Sequence, residues 1–247
     1  IRFRVCRKGT RLIKALLLRR YWLFKNRIIS SLSLYLILPF IIFAMIGSPL
    51  KNIIRYSISG VPYDIWSFPG LIFILGSIVI FPPLYREFFD LRIHGKSLVN
   101  IALTPHSKTK IIFSNLVVAI VETIIISILS GIIYTIFIEI SFSLLNLLFF
   151  LSALILYLFL IGNLFITILL VIDTLSTVLL TISIIFLINI FGNGFIIETS
   201  FFPNELGELL ALQPLSLPFQ LYQTFNSIGI INFEFFLSLF PIVYLWI

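Results

Sequence analysis

The chain has 247 residues, of which 60% are hydrophobic and 11% are charged, against roughly half and about a quarter in an ordinary soluble domain. A soluble fold could not hide so large an apolar fraction, so the composition excludes soluble classes and predicts an integral membrane protein. The formal net charge is +7, but the basic residues flank apolar segments and do not form the polar basic face of a nucleic-acid-binding protein. We therefore expect no nucleic-acid partner.

Residues 1–27 are predicted to form a basic helix at the membrane surface. Ten Lys or Arg residues lie there, mixed with bulky apolar side chains. The stretch resembles no cleavable signal peptide, because basic residues continue to Arg27 and no small-residue cleavage site follows. We expect the helix to lie on the inner leaflet with Tyr21 and Trp22 at the interface. Two roles stay open, a simple membrane anchor and an element that carries force to the first span.

The rest of the chain, residues 28–247, is predicted to be one transmembrane domain. A helix that crosses about 30 Å of hydrocarbon needs roughly 20 predominantly apolar residues. The apolar runs are Ile28–Gly47, Ile65–Tyr85, Ile111–Ile138, Leu144–Val171, Leu175–Ile197 and Phe233–Ile247. The last run is too short to cross unless the chain continues. The predicted fold class is all-α, a polytopic membrane protein of about six transmembrane helices with an N-terminal interfacial helix and an outer re-entrant segment.

The distribution of charge predicts how the spans are oriented. All 17 Lys and Arg residues lie between Arg2 and Lys110, most of them before the first span or between the second and the third. Basic loops stay in the cytoplasm, so we expect a cytoplasmic N-terminus and a cytoplasmic loop at 86–110. The acidic segment Glu198–Glu208 contains no base and is expected to face outward. Asp173 then marks a tight cytoplasmic turn, where its carboxylate is expected to cap the fifth span.

Glu122 is the acidic residue expected near the middle of a span, about eleven residues into the third one, at 1.5 Å per residue. An ionised carboxylate there is costly, and the later spans contain no Lys or Arg. The pattern favours a neutral, structural acid that hydrogen-bonds a Ser, Thr or Asn of a neighbouring helix. The alternative is an intramembrane polar site for a proton or a substrate, although one carboxyl group makes no proton relay.

No pattern in the sequence predicts a catalytic or metal site. Cys6 is the only cysteine, and the two histidines have no Cys or His partner nearby, which excludes a disulfide framework or a zinc site within one chain. Gly95-Lys96-Ser97 resembles the end of a phosphate-binding loop, but Asp90 stands where that loop needs a glycine. We expect neither a cofactor nor enzymatic activity on this chain.

The segment Glu198–Tyr222 interrupts the apolar pattern after the fifth span. The stretch from Pro203 through Glu205 to Leu210 predicts a short capped helix with Asn204 at its start, and Gln213 and Pro214 break the chain before a second, apolar stretch. A half-apolar, Pro-broken segment of this kind is predicted to dip into the membrane from outside. Non-helical backbone at that depth is tolerated only where protein or a cavity covers it.

Taken in chain order, these features resemble one family of transporters. The motifs that carry the resemblance are Phe68-Pro69-Gly70 at the opening of the second span, Arg86-Glu87-Phe88 to Gly95 and Leu98 to Leu103-Thr104-Pro105 after it, and Pro203–Leu206 with Gln213-Pro214-Leu215 near the end. Together with the basic helix before the first span, they are similar to the permease subunits of type-2 ABC exporters. The resemblance extends over nearly the whole chain.

The resemblance implies that this chain works with a separate cytoplasmic ABC ATPase. In that family the loop after the second span is a coupling helix that docks on the ATPase. The ATPase-coupling residues that the resemblance implies here are Glu87, Phe88, Asp90, Leu91, Gly95 and Leu98. ATP and Mg²⁺ would bind the ATPase, so none is expected on this chain. A second permease subunit, identical or different, and membrane lipid are the other implied partners.

The composition of this loop adds a physical argument for docking on a protein. Apolar residues such as Phe88 and Leu91 are expected to give the loop more apolar surface than water favours. Its charges have both signs, whereas a segment that binds only anionic lipid should be predominantly basic. The pattern therefore favours a groove on a protein partner.

The leading hypothesis is an exporter subunit that moves an amphipathic or lipid-linked substrate outward. The membrane would be the bacterial inner membrane or an organellar inner membrane, with the N-terminus on the cytoplasmic, matrix or stromal side. The alternative is a membrane scaffold or assembly subunit that performs no transport. A proton-coupled carrier that uses Glu122 is a third possibility, but such carriers show paired broken helices and several intramembrane charges. Fold does not fix the cargo.

Overall fold

The computed structural model describes residues 2–26, 28–57, 60–93, 107–138 and 143–228, together with Pro241. This part of the chain is helical and contains no strand. An isolated antiparallel bridge joins Tyr56 to Pro62 in the loop after the first span. The all-α class predicted from the sequence is therefore confirmed for the described residues.

The helices of the described residues follow one another along the chain. In chain order they are α1 (Arg2–Asn26), α2 (Ile28–Ile42), α3 (Ser48–Ile53), α4 (Tyr63–Tyr85), α5 (Leu91–Ile93), α6 (Lys108–Phe137), α7 (Leu144–Val171), α8 (Leu175–Gly192), α9 (Asn204–Ala211) and α10 (Leu217–Ile228). Two π-helical turns, Phe43–Gly47 and Arg86–Asp90, join α2 to α3 and α4 to α5 without a break. A 3₁₀ turn at Thr199–Phe201 precedes α9.

In the described chain, five helical stretches are long and apolar enough to cross a membrane. They are Tyr35–Ile53, Tyr63–Ile93, Lys108–Phe137, Leu144–Val171 and Leu175–Gly192. The membrane character predicted from composition is thus confirmed for five spans. The sixth predicted span, Phe233–Ile247, lies outside the described residues apart from Pro241.

Three of the predicted spans end more than one residue from the expected position. The second continues past Tyr85 to Ile93 through the π-helical turn Arg86–Asp90. The first continues to Ile53, because a π-helical turn carries the helix onward into α3. The fifth ends at Gly192 instead of Ile197. Gly194 has a φ of 75°, a left-handed conformation that ends a helix and that glycine adopts without strain.

α4 is the central helix of the bundle. Of its most apolar stretch, 72% is buried inside the chain, against 17% for the first and fifth spans. It packs on α6 and α7, and Phe73, Leu75 and Ile80 are fully buried at these contacts. A helix that is hydrophobic all round belongs in such a position. The end of α4 is therefore well placed to move the rest of the bundle.

Pro69 and Gly70 were expected to open the second span, and this expectation is wrong. α4 begins at Tyr63, so both residues lie nearly two turns inside the helix at 3.6 residues per turn. Gly70 is instead a contact point, because its backbone meets the carbonyl group of Phe195 beyond the end of α8. The absence of a side chain at Gly70 allows the two backbones to approach closely.

α1 packs on α6 and beside α2. Phe24 stacks on Tyr35 of α2 with ring centroids 6.1 Å apart. Another side of the helix exposes Leu18, Tyr21 and Trp22. Exposed aromatic and aliphatic side chains on a basic helix are typical of the lipid headgroup level. The placement of α1 on the inner leaflet stays a prediction.

Candidate functional site

The end of α4 continues as a helix and does not open into a loop. α4 ends at Tyr85, and the π-helical turn Arg86–Asp90 carries the chain directly into α5. We call the residues Arg86–Ile93 the α4 extension. π-helical turns inside helices occur frequently at functional sites. Because the extension is continuous with α4, any displacement of it acts on the central helix of the bundle.

Two arginines of α1 hold Glu87 at the start of the α4 extension. The Glu87 side chain is 7% exposed, and its Oε1 atom forms ion pairs with the guanidinium of Arg19 and, at 3.6 Å, with that of Arg20. Arg20 Nη2 also donates a hydrogen bond of 3.1 Å to the carbonyl oxygen of Pro83. A buried carboxylate needs partners of this kind. The N-terminal helix is therefore joined to the α4 extension through charge.

Arg92 attaches the other side of the α4 extension to the end of α7. Its Nη1 and Nη2 atoms donate hydrogen bonds of 2.6 Å and 2.5 Å to the carbonyl oxygens of Leu170 and Ile172. Nη2 also lies 3.0 Å from Asp173 Oδ1. A cation at a helix C-terminus complements the unpaired carbonyls and the helix dipole. The expectation that Asp173 caps the fifth span is wrong, because the N-cap of α8 is Thr174 and shows no side-chain cap.

The aromatic residues of the α4 extension point into the bundle. Phe88 is 3% exposed, and Phe89 is fully buried where it stacks on Tyr85 with centroids 5.3 Å apart. The expectation that Phe88 presents an apolar surface to a partner is therefore wrong. Sequence reasoning treated the segment as a loop, whereas a helical continuation turns one face of the segment toward the core.

The remaining predicted coupling residues occupy different environments. Glu87 is buried in its ion pairs, whereas Asp90 and Leu91 are partly exposed. Gly95 and Leu98 lie outside the described residues. Of the predicted set, Asp90 and Leu91 are thus the described residues that a partner can reach in this structure.

Glu122 lies where α6 faces α1 and α2, and it has a basic neighbour. The Tyr35 hydroxyl donates a hydrogen bond of 3.3 Å to Glu122 Oε1, and Arg20 Nε lies 3.9 Å from Oε2. Glu122 was expected to hydrogen-bond a Ser, Thr or Asn of a neighbouring helix, whereas its partner in the structure is Tyr35 of α2. The basic neighbour is distant in sequence and is brought near because α1 packs against the span that carries Glu122. Through Arg20, Glu122 belongs to one charge cluster with Arg19 and Glu87.

The predicted outer residues lie in the stretch between α8 and α10. Pro203 immediately precedes α9, and Glu205 is exposed in the first turn of that helix. Gln213 and Pro214 form the turn before α10, where the Gln213 carbonyl accepts hydrogen bonds from the backbone N–H of Ser216 at 3.0 Å and from its hydroxyl at 2.8 Å. The short helix and the turn predicted from the sequence are both present.

The described residues of α10 pack along α7. These 12 residues span about 18 Å at 1.5 Å per residue. Leu217 at its start clusters with Leu160 near the middle of α7, and Phe225 near its end stacks on Phe149 with centroids 4.2 Å apart. α10 therefore runs from the middle of α7 back toward the first residues of that helix.

The break at the end of α8 is held by buried polar side chains. Asn193 donates a hydrogen bond to Asn189 Oδ1, and Asn189 Nδ2 donates one of 2.5 Å to the Tyr157 hydroxyl. The Tyr63 hydroxyl donates a hydrogen bond of 2.9 Å to the carbonyl oxygen of Ile196 beyond the break. Irregular backbone in apolar surroundings needs such partners, so these contacts fix the place where the chain leaves helical geometry.

Sequence reasoning did not single out this polar group. The signal was present, because Asn189 and Asn193 are spaced by one helical turn in an otherwise apolar run and Gly194 follows. Asn189, Asn193 and their partner Tyr157 are all buried. Their pairing depends on the packing of α8 on α7, which the order of residues does not display.

The comparisons with known proteins give no identification. No protein-family model matches the chain, and neither a curated protein nor a solved structure shows significant similarity to it. Among the described residues, no group of three or more His, Cys, Asp or Glu side chains is arranged to hold a metal ion. In the described part of the chain, ion pairs and hydrogen bonds connect the α4 extension to α1 and to the end of α7.

Proposed function

We propose that the chain is the permease subunit of a type-2 ABC exporter and moves an amphipathic or lipid-linked substrate outward. A separate cytoplasmic ATPase binds ATP and Mg²⁺ and supplies the energy. A second permease subunit, identical or different, completes the transport path. The proposal joins the order of motifs in the sequence to the geometry of the α4 extension.

The observation that carries the proposal is the double attachment of the α4 extension. On one side Glu87 is paired with Arg19 and Arg20 of α1, and on the other side Arg92 holds the end of α7. A force on the extension therefore acts on α1, α4 and the α7–α8 turn together. Coupling between distant sites needs a contiguous set of contacts of this kind, and a permease driven by an ATPase on another chain requires one at its cytoplasmic end.

The irregular chain after α8 and the course of α10 along α7 support an outer re-entrant segment. The irregular residues Asn193–Ile197 are buried or nearly so, and Phe195 packs against Phe73 and Phe219. The covering side chains meet the condition for irregular backbone within a membrane. α10 then returns along α7 toward the end that we assign to the outside.

The orientation predicts which introduced cysteines a membrane-impermeant maleimide reaches. In a Cys6→Ser background, Glu205→Cys in α9 is expected to react from outside intact cells, whereas Lys108→Cys at the start of α6 is expected to react only after permeabilisation. Both positions are exposed in the structure, so the difference reports the side of the membrane and not burial. Reaction of Lys108→Cys in intact cells, with Glu205→Cys protected, would contradict the orientation.

The function is tested by what the α4 extension contacts in native membranes. A photo-crosslinking amino acid in place of Asp90 is expected to form an adduct with a cytoplasmic ATPase subunit, because Asp90 is partly exposed on an extension tied to three helices. The same amino acid in place of Glu205, exposed near the other end, is the matched control and is expected to form none with that subunit. Adducts with membrane subunits alone would favour the scaffold alternative and contradict the exporter.

A further inference from the structure

We propose that the groove between α1, α2 and α6 binds an amphiphile made of a hydrocarbon chain and a primary-amine head group, and that Glu122 receives the head group. The groove is a cavity of about 380 Å³, within the range of about 300–1,000 Å³ that is usual for small-molecule sites. The inference concerns binding by this chain alone and does not depend on the proposed export function.

The walls of the groove are mostly apolar. Leu17 and Phe24 line it from α1, and Val118, Ile125 and Leu129 line it from α6. A bound water needs two to four polar partners, and such walls do not provide them over most of the cavity. A hydrocarbon chain is therefore the kind of group that these walls accommodate.

Polar groups meet the groove together at Arg20, Tyr35 and Glu122. Glu122 Oε1 accepts one hydrogen bond of 3.3 Å, from the Tyr35 hydroxyl, and Oε2 accepts none from the described residues. Arg20 Nε, 3.9 Å from Oε2, is beyond hydrogen-bonding distance. A carboxylate has about four acceptor sites. Oε2 is itself buried, so a donor in the groove meets the Glu122 side chain, which is 29% exposed, at Oε1, where an acceptor site remains beside the hydrogen bond from Tyr35.

The charges of the cluster decide which head group fits. Arg19 and Arg20 both pair with Glu87, so Glu122 is the carboxylate of the cluster with the weaker compensation. Arg20 also lines the groove, but its guanidinium is shared between Glu87 and Glu122, so a phosphate or carboxylate head group would gain less at Arg20 than it loses by repulsion from Glu122. A hydroxyl would donate a hydrogen bond to a charged acceptor, and an ammonium would add its own charge to that bond. The amine is therefore the preferred head group.

The test uses the whole chain in phosphatidylcholine vesicles and a dodecylamine that carries a photoreactive diazirine on its alkyl chain. Saturable labelling is expected in peptides that contain Leu17–Phe24 and Val118–Leu129. Unlabelled dodecylamine is expected to compete about tenfold better than dodecanol, a difference of roughly 1.4 kcal/mol, and dodecyl phosphate is expected to compete least. Glu122→Gln keeps the size of the side chain and is expected to abolish the preference for the amine while dodecanol still competes.

Two substitutions on α6 provide a matched steric control. Ile125 lines the groove, whereas Ile136 is exposed farther along the same helix and points only about 20° away from it around the helix axis, at 3.6 residues per turn. Ile125→Trp is expected to fill the groove and suppress labelling, and Ile136→Trp is expected to leave it unchanged. Equal labelling of these two variants, an amine preference that survives Glu122→Gln, or the absence of saturable labelling would each overturn the proposal.

Discussion

Glu87→Ala is expected to lower the free energy of unfolding by about 3 kcal/mol, the lower end of the range for breaking a buried ion pair. The exchange removes the acceptor that Arg19 and Arg20 share and leaves Arg20 with Glu122 at 3.9 Å as its remaining carboxylate. Arg19 is 41% exposed and regains contact with water, which keeps the loss at this lower end. Unfolding in mixed micelles at increasing dodecyl sulfate content measures the change.

Asp64→Ala is the matched control for Glu87→Ala. Asp64 lies in the first turn of α4 and pairs with Lys51 at 2.6 Å, but the Lys51 side chain is 55% exposed. An exposed ion pair contributes up to about 1 kcal/mol, so this exchange is expected to change the free energy of unfolding much less. Equal losses for the two variants would show that the contact between α1 and the α4 extension does not stabilise the bundle.

The positions of the spans could be predicted because a helix that crosses a membrane needs about 20 consecutive, mostly apolar residues, and this rule is local in the sequence. The prediction of Leu144–Val171 coincides with α7, since a predominantly apolar run without any charge lies there between Ser143 and Asp173. The rule fails where a residue inside an apolar run ends the helix, as Gly194 does after α8. The length and hydropathy of an apolar run show where a span lies, but they do not show where its backbone leaves helical hydrogen bonding.

The candidate site was harder to predict because its partners are distant along the chain. Arg19 and Glu87 are 68 positions apart, and no local pattern pairs a basic surface helix with a carboxylate after the second span. The burial of Phe88 has the same origin, because a segment read as a loop proved to be a helix with one face against the core. The assignment of the α4 extension as the coupling segment stays a prediction, whereas the direction of its side chains depended on tertiary packing.

Gly70→Ala is expected to destabilise the bundle by at least about 3 kcal/mol, the upper end of the usual range for overpacking a core. The added methyl group would overlap the carbonyl oxygen of Phe195 and lie 2.8 Å from its carbonyl carbon. Phe195 is fully buried beside Phe73 and Tyr157, and a backbone atom cannot rotate away as the tip of a side chain can. The contact between α4 and the break in α8 would therefore have to open.

Gly131→Ala on α6 separates this steric effect from helix propensity. Both glycines lie inside helices, where alanine is intrinsically favoured by roughly 0.5–1 kcal/mol, but a methyl group at Gly131 would have Ile72 Cδ1 as its nearest neighbour, at an ordinary contact distance of 3.6 Å. Gly131→Ala is thus expected to leave the free energy of unfolding in mixed micelles unchanged or slightly raised. The difference between the two variants measures the close approach at Gly70. If Gly70→Ala unfolds as the wild type does, α8 does not end against α4 in this way, and the re-entrant placement of the outer segment loses its structural support.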